Sequence, residues 1–339
     1  MKEVDLFDAH LIKNDINRIK LLNYISPILF LKTLSEELGT PIFIKRDDLT
    51  EIGCGGNKLR KLEYLLAEAK NQKANRIITV GARQSNHARL TAITSKMLGF
   101  QVDLVLKNSV PIDSDNYYLN GNLVLDQIVD ANIHEISNQE ASSQFVHNLI
   151  NHYETVGEKV YFIPLGGSNF IGGLGYARVV YEIEEQIKQS QVNFKHIVLA
   201  SGSGGTHAGL IAGYELLQRK VNIQSYNVQP EIEPLLAETK KITQEILSTF
   251  GLSNKSLEIE YQLCNDYVGE GYGIPNKLTL QTIKHLAKCE GLFLDPVYTG
   301  KAFTGMVEDI KKGRYPKGEP VLFIHTGGIP GLFAYNNWF

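Results

Sequence analysis

Residues 77–106 read IITVGARQSNHARLTAITSKMLGFQVDLVL, and this stretch decides the fold. IITVGA (77–82) is a short β-branched run, HARLTAITSKML (87–98) carries apolar residues at helical spacing, and VDLVL (102–106) is apolar with one interruption. A helix between two such strands must cross over from one to the other, which sets the strands parallel and covers both faces of the sheet with helices. HIVLA (196–200), SGSGGTHAGLIAGYELLQ and IQSYNVQ (223–229) repeat the pattern, while VYFIP (160–164) and VLFIH (321–325) read as further buried strands. The fold class is α/β with open, mostly parallel sheets.

Working outward, the chain has 339 residues, 43% hydrophobic and 21% charged, enough to bury a large core without metals or disulfides. A formal net charge of -3 gives no electrostatic reason for a nucleic-acid partner. Cys54, Cys264 and Cys289 match neither a zinc site nor a disulfide framework, so no metal is expected and a reducing compartment is the simplest setting. The opening segment MKEVDLFDAHLIKNDINRIK lacks the basic and apolar regions of a secretory signal, and no apolar run approaches about 18 residues. The expectation is a cytoplasmic protein with no membrane partner. NSVPIDSDNYYLNGN (108–122) collects the residues of a surface connection, and GGSNFIGGLGY (166–176) reads as backbone packed closely on backbone.

SGSGGT, Ser201 to Thr206, lies between a strand and a helix, where consecutive glycines let backbone N–H groups and the helix dipole converge on an anion. It is not a Walker A loop, and His207 stands where a dinucleotide fingerprint would have its last glycine; a tight structural turn would read the same. Lys58 follows Asn57, a residue able to cap the helix, and shares the inward stripe of Leu62, Leu65, Leu66 and Ala69. Burial and the helix N-terminus both lower a lysine's pKa toward that of a usable amine, and snorkelling to solvent is the plainer alternative. Arg60 and Lys61 lie off the stripe and read as a solvated face.

Gln84, Ser85, Asn86 and His87 follow a strand at its carboxyl end, where open sheets bind ligands and where these groups suit a carboxylate. Ser and Asn are equally ordinary N-caps, and His87 alone reads as a surface or capping histidine. Tyr272 in EGYGIPN, Tyr298 in DPVYTGKA and Thr326 in HTGGIPG complete the candidates, each explicable by packing or capping alone.

In order along the chain, KRDDLTEIGCGGNKLRKLEYLLAEA, VGARQSNHARLTA, ASGSGGTHAGL, EGYGIPN, LDPVYTGKA and FIHTGGIPGLFAY resemble the D-cysteine desulfhydrase and 1-aminocyclopropane-1-carboxylate deaminase family of pyridoxal-phosphate enzymes. The resemblance spans about residues 20 to 335 and implies a two-lobed, fold-type II architecture like that of the tryptophan synthase β subunit. It implies a large cofactor-binding lobe from residues 1–57 plus 166–339, a small α/β lobe from 58–165, and a homodimer. Lys58 matches the lysine that bonds pyridoxal 5'-phosphate, flanked by Asn57, and Gly202, Ser203, Gly204, Gly205 and Thr206 match the loop for its phosphate. Asn86 matches the residue at the ring hydroxyl, and Gln84, Ser85 and His87 belong with it to the segment gripping the substrate carboxylate. Tyr272 and Tyr298 match tyrosines of the substrate pocket; with Lys58 and Ser85 they form the implied catalytic set.

Deaminase-type members typically carry Glu after the tyrosine of DPVY and Leu within H-x-G-G, where this chain has Thr299 and Thr326. A hydroxyl beside the ring nitrogen is a neutral partner and makes a weaker electron sink than a carboxylate would, which favours expelling thiolate over opening a cyclopropane. The resemblance therefore implies β-elimination of a small amino acid, D-cysteine first, with 1-aminocyclopropane-1-carboxylate deamination and L-cysteate sulfolysis as alternatives. A ligand-binding protein without turnover is the alternative from another class, and a nucleotide-dependent oxidoreductase lacks its fingerprint.

Overall fold

The computed structural model describes residues 3–137, 141–252 and 259–339. Among them run ten strands: β1 (Ile28–Phe30), β2 (Ile42–Arg46), β3 (Arg76–Ala82), β4 (Gln101–Lys107), β5 (Asn132–Ile136), β6 (Val160–Ile163), β7 (His196–Ser201), β8 (Asn222–Asn227), β9 (Gln262–Cys264) and β10 (Val321–His325). They form a six-stranded sheet in the order β1-β2-β10-β7-β8-β9 and a four-stranded sheet in the order β5-β4-β3-β6. Only β1 and β2 pair antiparallel. The stretch 77–106 forms the centre of the smaller sheet: β3 and β4 pair from Arg76↔Gln101 to Ala82↔Lys107, with the helix Asn86–Met97 crossing between them. β10 shows why such strands are apolar throughout. Val321 and Phe323 enter one core with Phe303 and Met306, while Leu322 and Ile324 enter the opposite one with Tyr176 and Ile183. Among the described residues no helix is long and apolar enough to cross a membrane.

The helix Lys58–Asn71 joins the two halves. Leu59, Leu62, Leu65 and Leu66 pack with Ile77, Val102 and Leu104 of the smaller sheet. Another side of it meets the helix Phe170–Ser190, where a Cβ on Gly175 would fall 2.2 Å from the Arg60 carbonyl oxygen, so the glycines of GGSNFIGGLGY do allow backbone to touch backbone. With protein on both sides this helix has little solvent face, and the expectation for Arg60 and Lys61 is corrected: both are buried. A stripe reading assumes one packing partner, and here there are two. Arg60 grips Asp47 through Nε at 2.9 Å and Nη2 at 2.8 Å, and reaches Glu182 through Nη1 at 2.8 Å. Ser26 Oγ and Tyr176 Oη donate to the same Asp47 carboxylate at 2.6 and 2.5 Å.

Residues 108–122 depart from expectation only in part: Pro111, Asp113, Asp115 and Leu119 are exposed, as in a surface connection. The segment includes the helix Asp115–Leu119, and Val110, Tyr117 and Asn122 are buried. Several of its polar side chains are used in hydrogen bonds: Ser114 Oγ accepts from the Tyr117 N–H at 3.3 Å, and Asn122 makes the contacts described below. Turn-forming composition marks local hydrogen bonding, which is satisfied as well inside as at the surface.

Candidate active site

Parallel strands of both sheets point their carboxyl ends at one cleft of about 610 Å³. Val80, Gly81 and Ala82 of β3 and Lys107 of β4 line one wall, and Ala200 and Ser201 of β7 line the other. Lys58, Asn57, Ser85, Asn86, His87, Tyr272, Tyr298 and Thr326 all border this space, so residues scattered over most of the sequence meet there.

The loop after β7 is built for an anion. The N–H groups of Gly202, Ser203 and Gly204 have no acceptor among the described residues, and the helix Gly205–Leu216 starts directly behind them. Ser168 Oγ accepts from the Gly205 N–H at 3.2 Å and lies 2.8 Å from Ser203 Oγ. Beneath the loop, Lys61 Nζ donates to Ser168 Oγ at 3.0 Å and to the Gly166 carbonyl at 3.1 Å. A Cβ on Gly205 would stand 2.8 Å from that Nζ, so glycine is what lets the ammonium lie so close. Burial, then the neighbouring Lys58, push the Lys61 pKa well down, and burial alone brings Lys58 to about 8. Among the described residues no acid offsets either charge, and two such ammoniums beside free N–H groups suit a multivalent oxyanion.

Lys58 opens its helix at the cleft wall. Asn57 does not cap that helix with its side chain; its Nδ2 donates to Thr206 Oγ1 at 3.0 Å and its N–H to the Thr326 carbonyl at 3.0 Å. The lysine loop is thus tied to the anion loop and to the turn after β10. A Cβ on Gly327 would come 2.9 Å from the Gly56 Cα, which accounts for glycine in both motifs. Ser85 does cap its helix, accepting from the Ala88 N–H at 3.1 Å. Asn86 Oδ1 accepts from Asn122 Nδ2 at 3.0 Å and from Arg89 Nη1 at 3.4 Å, leaving Asn86 Nδ2 as its free donor.

Two expectations for this segment fail. The Gln84 side chain is not in the cleft wall: its Nε2 donates to the Tyr117 and Asn120 carbonyls, both at 2.8 Å, and its Oε1 accepts from the Asn122 N–H at 2.9 Å. Gln84 holds the 117–122 segment in place. His87 is neither on the surface nor a cap. It is buried, with Nε2 2.8 Å from Thr79 Oγ1, and burial followed by the charges of Lys58 and Lys61 pushes its pKa well below the ordinary value, so the ring is neutral.

Tyr272 and Tyr298 face each other through a hydroxyl–hydroxyl hydrogen bond at the cleft, their ring centroids 5.9 Å apart. Burial raises both pKa values above the usual tyrosine range, so both are protonated at neutral pH. Asp295, which sequence reasoning missed, organises this corner. Its Oδ1 accepts from the Val297 and Tyr298 N–H groups at 2.8 and 2.6 Å. Its Oδ2 accepts from the Thr299 N–H at 3.0 Å and from Thr299 Oγ1 at 2.6 Å. Thr299 is therefore fully buried behind the cleft, its hydroxyl held by Asp295, and of the two threonines only Thr326 belongs to the wall. The Asp-Pro step ahead of a helix was a readable capping signal for Asp295, and Lys61, three residues after Lys58, was readable as its neighbour on the helix surface.

A family model described as pyridoxal-phosphate dependent enzyme matches residues 19–327. The chain belongs to the pyridoxal-phosphate dependent enzyme family. The D-cysteine desulfhydrase of Klebsiella pneumoniae (strain 342) is 39% identical to it over 319 residues, covering 94% of this chain and 96% of that protein. A crystal structure of an ACC deaminase homologue superposes with a TM-score of 0.88 at 38% identity, covering 98% of this chain and 97% of the other. The processed form of threonine deaminase isoform 2 from Solanum lycopersicum, at 15% identity and a TM-score of 0.64 over 96% of this chain and 84% of its own, shares the fold. This pyridoxal-phosphate dependent enzyme is thus a lyase or deaminase of the fold-type II architecture. The site fits the cofactor: free N–H donors and two uncompensated lysines suit a phosphate and an aldehyde, and Asn86 Nδ2 is a donor suited to a ring oxygen.

Proposed function

We propose that the enzyme eliminates the β-substituent of D-cysteine and, with one water, yields pyruvate, ammonia and hydrogen sulfide. The observation that carries this reading is one cleft holding both a lysine drawn down to about 8 and a pair of neutral tyrosine hydroxyls, a base and an acid for the two ends of an elimination. The 39% identical desulfhydrase supports the substrate. Bound pyridoxal phosphate supplies an electron-accepting ring that lets the amino acid's α-carbon carry negative charge. In this reading Lys58 Nζ takes the α-proton. The Ser85 hydroxyl and the first N–H groups of the helix Asn86–Met97 hold the substrate carboxylate, aided by the helix dipole. Tyr298 or Tyr272 donates its hydroxyl proton to the departing sulfur. Thr326 stands at the wall where deaminase-type members carry leucine, a difference in keeping with the desulfhydrase branch.

The division into a 58–165 lobe and a lobe of 1–57 plus 166–339 belongs to the same proposal, with the cleft between them. So do a homodimer, checked by mass in solution, and a cytoplasmic setting, supported by three unpaired cysteines.

The decisive experiment measures product release from D-cysteine, L-cysteine, L-cysteate and 1-aminocyclopropane-1-carboxylate in parallel, with the visible spectrum recorded. Pyruvate from D-cysteine is expected to dominate. 2-Oxobutyrate from the cyclopropane substrate, or pyruvate chiefly from L-cysteate, would move the enzyme to the corresponding branch, and cofactor absorption with no product from any substrate would favour a binding protein.

A further inference from the structure

Lys301 is a fully buried cation on the helix Thr299–Lys311, whose other inward residues Ala302, Phe303, Met306 and Val307 form an apolar core. A lysine in such a place costs more than the leucine or methionine that would fill it, unless its ammonium is fully engaged. Its Nζ donates to two carbonyls, Val268 O and Gly271 O, both at 2.7 Å. These carbonyls bracket the turn that delivers Tyr272 to the cleft. Within the turn the backbone bonds are long, Val268 N–H to the Asn265 carbonyl at 3.4 Å and Ile274 N–H to the Gly271 carbonyl at 3.3 Å, and Gly271 and Gly273 on either side of the tyrosine take φ of +151° and +75°, which glycine alone adopts readily. The helix that carries Lys301 begins immediately after Tyr298. One side chain therefore bridges the two segments whose tyrosine hydroxyls meet.

We propose that Lys301 is a positioning residue for the elimination: by holding the 268–271 turn against the helix after Tyr298, it sets the hydroxyl of Tyr272 on that of Tyr298 and aims the pair at the substrate. The inference rests on the reading that this pair serves the reaction. Lys301 does not border the cleft, so it acts through Tyr272 and touches no reactant. Burial draws its pKa down to about 8 against the opposing pull of Asp295, so the group remains an ammonium at neutral pH.

The test is a double-mutant cycle on the holoenzyme with Lys301→Met, Tyr272→Phe and the double variant, scoring kcat and KM per bound cofactor measured from the visible band. The assay uses whichever of the four amino acids the parent turns over. Lys301→Met is expected to lower kcat by about tenfold or more with KM within about threefold, and the double variant to match Tyr272→Phe alone. A general loss of packing would multiply with the tyrosine change, so losses that multiply, or a Lys301→Met kcat within about twofold of the parent, overturn the proposal. If Lys301→Met gives no soluble protein, Lys301→Gln, whose amide keeps a donor, is carried through the same cycle. A parent active on a substrate other than D-cysteine sinks the substrate assignment while leaving the cycle readable; a parent inactive on all four removes both.

Discussion

Lys58 and Arg60 stand two residues apart on one helix in opposite surroundings. Arg60 makes four hydrogen bonds, to Asp47, Glu182 and Ser26, and its pKa is held high because those carboxylates outweigh the cost of burial. Lys58 has no acidic partner, and burial lowers it to about 8. The same helix thus carries a cation whose charge is locked and one whose charge is easily given up. The difference teaches that burial by itself does not mark a reactive group; burial with partners withheld does.

The largest effect that sharpens this contrast is Lys58→Ala. It should abolish the visible band that forms when pyridoxal phosphate is added and lower turnover by at least about a thousandfold, with the thermal midpoint little changed. Undiminished turnover would remove Lys58 from the mechanism. Arg60→Met should do the reverse, costing about 3–5 kcal/mol in urea unfolding by leaving the buried Asp47 without its guanidinium while Glu182 keeps Arg178, and kcat per bound cofactor should stay close to that of the parent. A stable Arg60→Met protein would show that the cluster is dispensable.

The smallest effect is in pH. Lys58 has a depressed pKa, so its free amine is scarce below about 8 and saturates above it. The rate at which apoprotein captures pyridoxal phosphate should therefore rise about tenfold per pH unit up to that point and then level. Asp47 behaves oppositely: burial would raise it, but the adjacent Arg60 guanidinium draws it down to about 2. The stability it contributes is present above the ordinary carboxylate range and is lost only as pH falls toward 2, so it is flat across the interval in which Lys58 titrates.

Much of this was legible beforehand. Strand β10 agrees with VLFIH to the residue, β3 and β7 differ from their expected bounds by one residue at one end and β4 by one at both, because a parallel strand buried on both faces leaves a continuous apolar run. Lys58 and the SGSGGT loop could be singled out because an amine on an apolar stripe and a run of glycines before a helix each break a local rule. Lys61, Ser168, Asp295 and Lys301 were passed over, and Gln84 was misassigned. Asp295 caps residues within four of it and carried a local signal, but the partners of the others lie far away in the chain, 107 residues for Lys61 and Ser168 and 33 for Lys301 and Val268, and no local pattern encodes such a meeting.

What the sequence by itself determined is the alternation of strand and helix, the parallel sheets that follow from it, and the motif set that assigns the family, all of which depend on neighbours within a few turns of chain. Only the tertiary structure decided which polar groups are left without partners: Arg60 is satisfied, Lys58 and the N–H groups of Gly202 to Gly204 are not, and Thr299 is taken by Asp295 while Thr326 stays at the wall. The physical reason is that a side chain's chemistry is set by desolvation and by the charges within a few ångströms of it, and those come from segments that the fold alone brings together.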